Sequence, residues 1–169
     1  VATGGYGRGE LSPHSDVDVV LVHADHLEPA EIDAVAGELW NLLWEAKVPI
    51  DQAVRSLDEM ASLAAADFRV AMGVLDARCV AGDTGVVLEL RTTVLTGWRR
   101  DARARLAAVR RDREARIERS GHLAYEAVPD LKSSAGGLRD AVLLRAVAAT
   151  WLVDVPIGEI RQWAGELLD

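Results

Sequence analysis

Residues Thr3 to Val22 read TGGYGRGELSPHSDVDVVLV. The stretch holds two pieces. Gly4-Gly5-Tyr6-Gly7-Arg8-Gly9 is a glycine-rich turn with one arginine, and Ser15-Asp16-Val17-Asp18-Val19-Val20-Leu21-Val22 reads as a strand with two carboxylates at its start. Successive side chains of a strand alternate faces, so Asp16 and Asp18 point one way while Val17 and Val19 point the other. Two carboxylates held in parallel repel each other unless a cation sits between them. Mg²⁺ suits the place, since it prefers a few carboxylates plus substrate phosphates to an all-protein cage. The glycines supply chain that can approach anionic oxygen closely, with backbone N–H groups to aim at it. A phosphate cradle shortly ahead of a metal-binding carboxylate pair is the equipment of nucleotidyl transfer.

Working outward, Val1 to Thr3 reads as the end of a strand that feeds the turn, and Glu10 to His14 as the connection to the next strand, about Val17 to His23. Between Glu31 and Ala46, Ile32, Val35, Ala36, Leu39, Leu42 and Leu43 recur at three- and four-residue spacing and predict a helix, on which Trp40 and Trp44 are expected to pack together. Val48 to Ser56 reads as another strand, with Pro49 at its start or edge. By alternation Asp51 shares a face with Pro49 and Ala53. From Asp58 the pattern becomes helical: Asp58 to Ala66, a second helix capped by Asp67 and running through Val80, then Gly85 to Trp98, Arg99 to Arg119, Leu138 to Leu152 and Pro156 to Leu168. The expected fold class is α+β. A small mixed β-sheet of three or more strands occupies residues 1–56, and a helical region follows over residues 57–169. Asp16, Asp18 and Asp51 should share one sheet edge.

Gly-Gly, a short spacer and Asp-x-Asp resemble the signature of the DNA polymerase β-like nucleotidyltransferase superfamily. The fuller string GGYGRGELSPHSDVDVV is similar, more narrowly, to the N-terminal nucleotidyltransferase domain of the bacterial PII uridylyltransferase/uridylyl-removing enzyme. A second match lies downstream: Asp130-Leu131-Lys132-Ser133-Ser134-Ala135-Gly136-Gly137-Leu138-Arg139-Asp140 stands against the family's D-[IL]-K-S-S-P-G-G-L-R-D. Two motifs in the right order, with helices between them, are far more specific than a lone D-x-D.

The resemblance implies Mg²⁺ on Asp16 and Asp18, with a third carboxylate from a neighbouring strand. Asp51 is the acid placed to supply it. The family more often reads L-E-V-G-H-S-V-R here, with a glutamate where this chain has Pro49 and histidine where it has Gln52. The resemblance assigns nucleotide contact to Gly4, Gly5, Arg8 and Ser15, and to Lys132 and Ser133 as a clamp on the triphosphate or base. One triphosphate can use both motifs only if the helical region folds back over the sheet edge. Two departures touch the second motif, Ala135 in place of proline and Val128 where glutamate often stands.

Composition narrows the partners. The chain has 169 residues and a net charge of −8, which argues against a sequence-independent grip on nucleic acid. Only Lys47 and Lys132 are lysines. The arginines between Arg99 and Arg119 alternate with Asp101, Asp112, Glu114 and Glu118, as on a solvated, ion-paired helix face. One cysteine, Cys79, excludes internal disulfides and multi-cysteine metal sites and fits a cytoplasmic setting. No apolar run approaches membrane-spanning length. His14, His23, His26 and His122 form no ligand pattern, and the histidine–aspartate motif of the family's nucleotide-removing domain is missing, as though the remaining domains of a longer enzyme lay elsewhere.

The expected activity is Mg²⁺-dependent transfer of UMP or AMP from a nucleoside triphosphate, UTP or ATP, to a tyrosine of the PII signal-transduction protein. Glutamine synthetase adenylyltransferases and sensor-linked nucleotidyltransferases share parts of the pattern. A nucleotide-binding regulatory module with impaired catalysis is the alternative of a different class, favoured by the altered strand around Asp51.

Overall fold

The computed structural model describes residues 1–11 and 15–168. Ser12, Pro13 and His14, within the connection expected at Glu10 to His14, lie outside the described residues. The backbone divides into two compact units, Val1–Val94 and Leu95–Asp169.

In the first unit the glycine turn is a short helix, α1 (Gly4–Arg8), closed by Gly9 in the left-handed region at φ 73°. Strands β1 (Val17–His23) and β2 (Ile50–Ser56) pair in parallel, from Val17 against Ile50 to His23 against Ser56. Parallel neighbours need a long crossover. Helix α2 (Pro29–Glu45) supplies it, with Pro29 in its first turn, where a missing N–H costs nothing. Ala36 and Trp40 are its buried residues, while Trp44 is 52% exposed, so the two tryptophans expected to pack together have different surroundings.

Residues 1–3 run along the other side of β1. Val1 and Val20 exchange both backbone hydrogen bonds at 2.8 Å, and the Thr3 N–H donates to the Asp18 carbonyl at 3.0 Å. Ala2 bridges Val19 and Arg78, antiparallel in each case. The third strand expected here is a single bridged residue, Ala2. The pairing is still mixed, one parallel ladder with antiparallel bridges.

Helix α3 (Leu57–Ala66) begins one residue before the expected Asp58. Ser56 is the cap: its hydroxyl accepts from the Glu59 N–H, and the Glu59 carboxylate accepts from the Ser56 N–H. Helix α4 (Phe68–Leu75) starts at its Asp67 cap as expected but stops well short of Val80. Ala77 and Arg78 leave the helix because Arg78 exchanges two backbone hydrogen bonds with Ala2, at 2.8 and 3.0 Å. Helix α5 (Thr84–Arg100) follows.

The second unit contains α6 (Ala102–Ser120), α7 (Leu138–Ala148) and α8 (Ile157–Glu166). Ala141, Ile160 and Ala164 form a core seam between α7 and α8, flanked by Leu138, Val155 and Trp163. Trp98 is fully buried and satisfies its indole N–H on the Ala146 carbonyl at 2.8 Å. Helix α7 ends before the expected Leu152, where Trp151 takes φ 61° and lies 76% exposed. No helix among the described residues is long and apolar enough to cross a membrane.

Candidate active site

The site is built at the start of β1. Asp18 sits on that strand and Asp51 on β2, and the two are register partners. Paired residues of a parallel ladder project to the same face, so the two carboxylates stand side by side across adjacent strands. Asp16 lies one residue ahead of β1 and is exposed, as is Asp51; Asp18 and Ser15 are half-buried.

Gly4 approaches this face closely. It holds φ +56°, and a Cβ built on it would meet Asp18 Oδ2 at 2.1 Å and Asp18 Cγ at 2.9 Å. A side chain there would have to displace the Asp18 carboxylate, in a backbone conformation that already favours glycine. Gly5 is nearly as tight, with the Glu10 carbonyl oxygen 3.0 Å from a notional Cβ. The first turn of α1 is thereby held against the carboxylate of Asp18, and backbone takes the place of side chain.

Arg8 is engaged within its own unit. Its Nε donates to Glu10 Oε2 at 2.7 Å, and its Nη1 lies 3.6 Å from Asp76 Oδ2. It therefore braces the end of α1 against two acids, with only 16% of its side chain exposed.

Among the described residues no three His, Cys, Asp or Glu side chains converge as a ready metal cage. The acids gathered here are the Asp18–Asp51 register pair, with Asp16 just ahead of β1. That set fits a hard divalent cation drawing its remaining ligands from water and bound phosphate.

Lys132 and Ser133 belong to the second unit, in the loop before α7. Asp130 organises this loop. Its Oδ1 accepts from the Lys132 and Ser133 N–H groups, each at 2.9 Å, and the Ser133 N–H in particular lowers the Asp130 carboxyl below the usual range. The Lys132 side chain is left exposed.

The rest of the KSSAGGLRD motif is architecture. Asp140, 6% exposed, accepts from the Gly136 N–H at 2.9 Å, from Arg113 at 3.1 and 3.2 Å, and from the buried Arg116. Arg116 also donates to the Ser133 carbonyl. The Ser134 hydroxyl, fully buried, donates to the Ser120 carbonyl at 2.7 Å. Gly137 has no room for a side chain, since a Cβ would meet the Leu131 carbonyl oxygen at 2.5 Å. The arginine run of α6 is thus only in part a solvated face. Arg110 pairs with Glu114 on the surface, but Arg113 and Arg116 are the two that reach Asp140. Nothing in the alternation of charges marks those two apart from their neighbours.

Residues 1–69 match the family described as nucleotidyltransferase domain. The whole chain is 46% identical to 20% of the length of a bifunctional uridylyltransferase/uridylyl-removing enzyme of Streptomyces coelicolor. Over 91% of the chain it is 42% identical to 19% of the enzyme of that name from Mycobacterium tuberculosis, and over 92% it is 37% identical to 22% of the one from Corynebacterium glutamicum. The chain therefore spans about a fifth of the length of these relatives. No solved structure matches the chain. Residues 1–69 thus match a nucleotidyltransferase domain, in a chain that aligns along its whole length with a segment of a bifunctional uridylyltransferase/uridylyl-removing enzyme.

Proposed function

We propose that the chain carries the transferase half of a PII-modifying enzyme. It moves UMP, or AMP, from the nucleoside triphosphate to a tyrosine hydroxyl of PII. The observation that carries the reading is the packing of Gly4 against Asp18 with Asp51 in register beside it. The sequence motifs imply the acceptor, and relatives named as uridylyltransferases support UMP.

In this scheme the tyrosine oxygen forms a bond to the α-phosphorus, and the bond from that phosphorus to the bridging oxygen of pyrophosphate breaks. Pyrophosphate leaves with the electron pair. The hydroxyl proton passes to the carboxylate of Asp51, which lies on the exposed face and acts as base. Asp16, Asp18 and Asp51 are the residues that would hold Mg²⁺, which when bound neutralises phosphate charge and acidifies the acceptor hydroxyl. Gly4 and Gly5 let backbone approach the phosphates, Ser15 offers a hydroxyl beside them, and Arg8 adds positive potential from its place between Glu10 and Asp76. Lys132 and Ser133 are assigned to the triphosphate. A cytoplasmic setting completes the reading, in keeping with a single cysteine.

The deciding experiment offers radiolabelled UTP and ATP separately to the protein with Mg²⁺ and purified PII. Label should appear on PII from UTP, or from ATP, and be lost when the acceptor tyrosine is changed to phenylalanine. Nucleotide binding without transfer from either triphosphate would leave a regulatory module and sink the catalytic reading.

A further inference from the structure

A second pocket lies in the first unit, at the opposite end of α1 from the Gly4–Asp18 contact. It is an open pocket of about 370 Å³, the size of a small-molecule site. Its wall includes Gly7, the backbone between Asp76 and Cys79, and the first two turns of α5. Gly7 is buried, and a Cβ there would meet the Ala2 and Asp76 carbonyl oxygens at 2.9 and 3.0 Å, so α1 itself forms part of the wall.

Two guanidinium groups line this pocket, from different elements. Arg78 follows α4. Its Nη2 donates to the Tyr6 carbonyl at 3.1 Å, and its Cζ stands 5.1 Å from the centre of the Tyr6 ring. Those contacts hold the fork in place and leave most of its donors unused. Arg91 lies on α5, exposed, with no hydrogen bond or ion pair among the described residues. The one carboxylate residue on the lining, Asp76, already faces Arg8 at 3.6 Å. Val87, buried at 6% exposure, adds apolar wall. A guanidinium held on Tyr6 and a second one left unpaired, lining one pocket of metabolite size, suit a tetrahedral anion that takes donors from both.

We propose that this pocket binds a small ligand through a phosphate or diphosphate group, held between Arg78 and Arg91. It is separate from the carboxylate face, because its lining contains none of Asp16, Asp18 and Asp51.

Cys79, the only cysteine in the chain, lines the same pocket and reports its occupancy. The experiment follows alkylation of Cys79 by iodoacetamide in the whole protein, in EDTA to silence metal-dependent binding, with pyrophosphate as the probe. Citrate and sodium chloride at matched ionic strength run beside it. Pyrophosphate should slow alkylation in a saturable manner. Arg91→Ala, a change at an exposed residue without partners, should raise the pyrophosphate concentration needed by about tenfold, the loss of one charged hydrogen bond. Asp18→Asn should protect Cys79 as the parent does. Equal protection by citrate or by salt alone, no protection by pyrophosphate, or parental protection in Arg91→Ala would each overturn the assignment.

Discussion

Asp18 Oδ2 occupies the space that any side chain on Gly4 would need, 2.1 Å from the position of a Cβ there. The contact joins the two halves of the first motif. It makes the glycine a condition for the carboxylate's placement, beyond whatever it does for phosphate.

Gly4→Ala should therefore remove transferase activity by displacing Asp18 or unwinding α1, with a further cost of about 1–3 kcal/mol for a non-glycine residue at φ +56°. Gly9→Ala is the control. Gly9 holds φ +73° but has nothing within 4 Å of a Cβ, so it should lose stability by about 1 kcal/mol and keep its activity. Denaturant unfolding and a transfer assay on both variants check this. Parental turnover in Gly4→Ala would show that the Asp18 contact has no part in the chemistry.

Asp18→Asn should abolish metal-dependent transfer and weaken Mg²⁺ binding measured by calorimetry with nucleotide present. Asp51→Asn keeps an isosteric side chain on β2 but removes the carboxylate proposed as base, and should slow transfer by about 10²–10⁴-fold. An Asp51→Asn enzyme with parental turnover would assign the proton to another group.

Lys132→Ala should weaken nucleoside triphosphate binding by about 1.5–3 kcal/mol, the worth of a charged hydrogen bond. The lysine side chain is exposed, and its loop is held by Asp130 through backbone N–H groups, so folding should be untouched. Nucleotide titration with Mg²⁺, alongside a melting curve, separates the two. Parental affinity would leave the downstream motif a purely structural element.

The features legible in the sequence were those carried by contiguous residues. The strand patterns at Val17 to His23 and Val48 to Ser56 marked where β1 and β2 lie, while the register that sets Asp51 beside Asp18 comes from their pairing. The caps at Asp67 and the glycines at 4 and 5 also announce themselves locally. Partners distant in the chain were not legible. The end of α4 is decided by Arg78 pairing with Ala2, far away in sequence, and helical propensity carries no trace of that competition. Arg116 looked like any other arginine of α6, because its partner Asp140 lies across a loop of irregular backbone. The same holds for Arg8, whose neighbour Asp76 is brought beside it only by the fold.

Asp140 governs the last prediction. Burial alone would raise its carboxyl pKa. The Gly136 N–H, Arg113 and Arg116 outweigh burial and hold it below the usual range. A carboxyl depressed in the folded state contributes stability that is present above its unfolded value, near 3.9, and is lost as pH falls through the lower folded value. The second unit should therefore keep this contribution at neutral pH and lose it on acidification below about pH 4. Asp140→Asn cannot hold the charge at any pH and leaves Arg116, 3% exposed, without a carboxylate. The expected cost is about 3–5 kcal/mol at pH 7, as for one partner removed from a buried pair. The gap between parent and variant should narrow as pH approaches 3. Urea unfolding of both proteins at pH 7 and at acid pH measures it, followed at Trp98, whose indole hydrogen bond lies inside the same unit. A gap that stays constant across that range would mean that the Asp140 charge contributes nothing and that only the shape of its side chain matters.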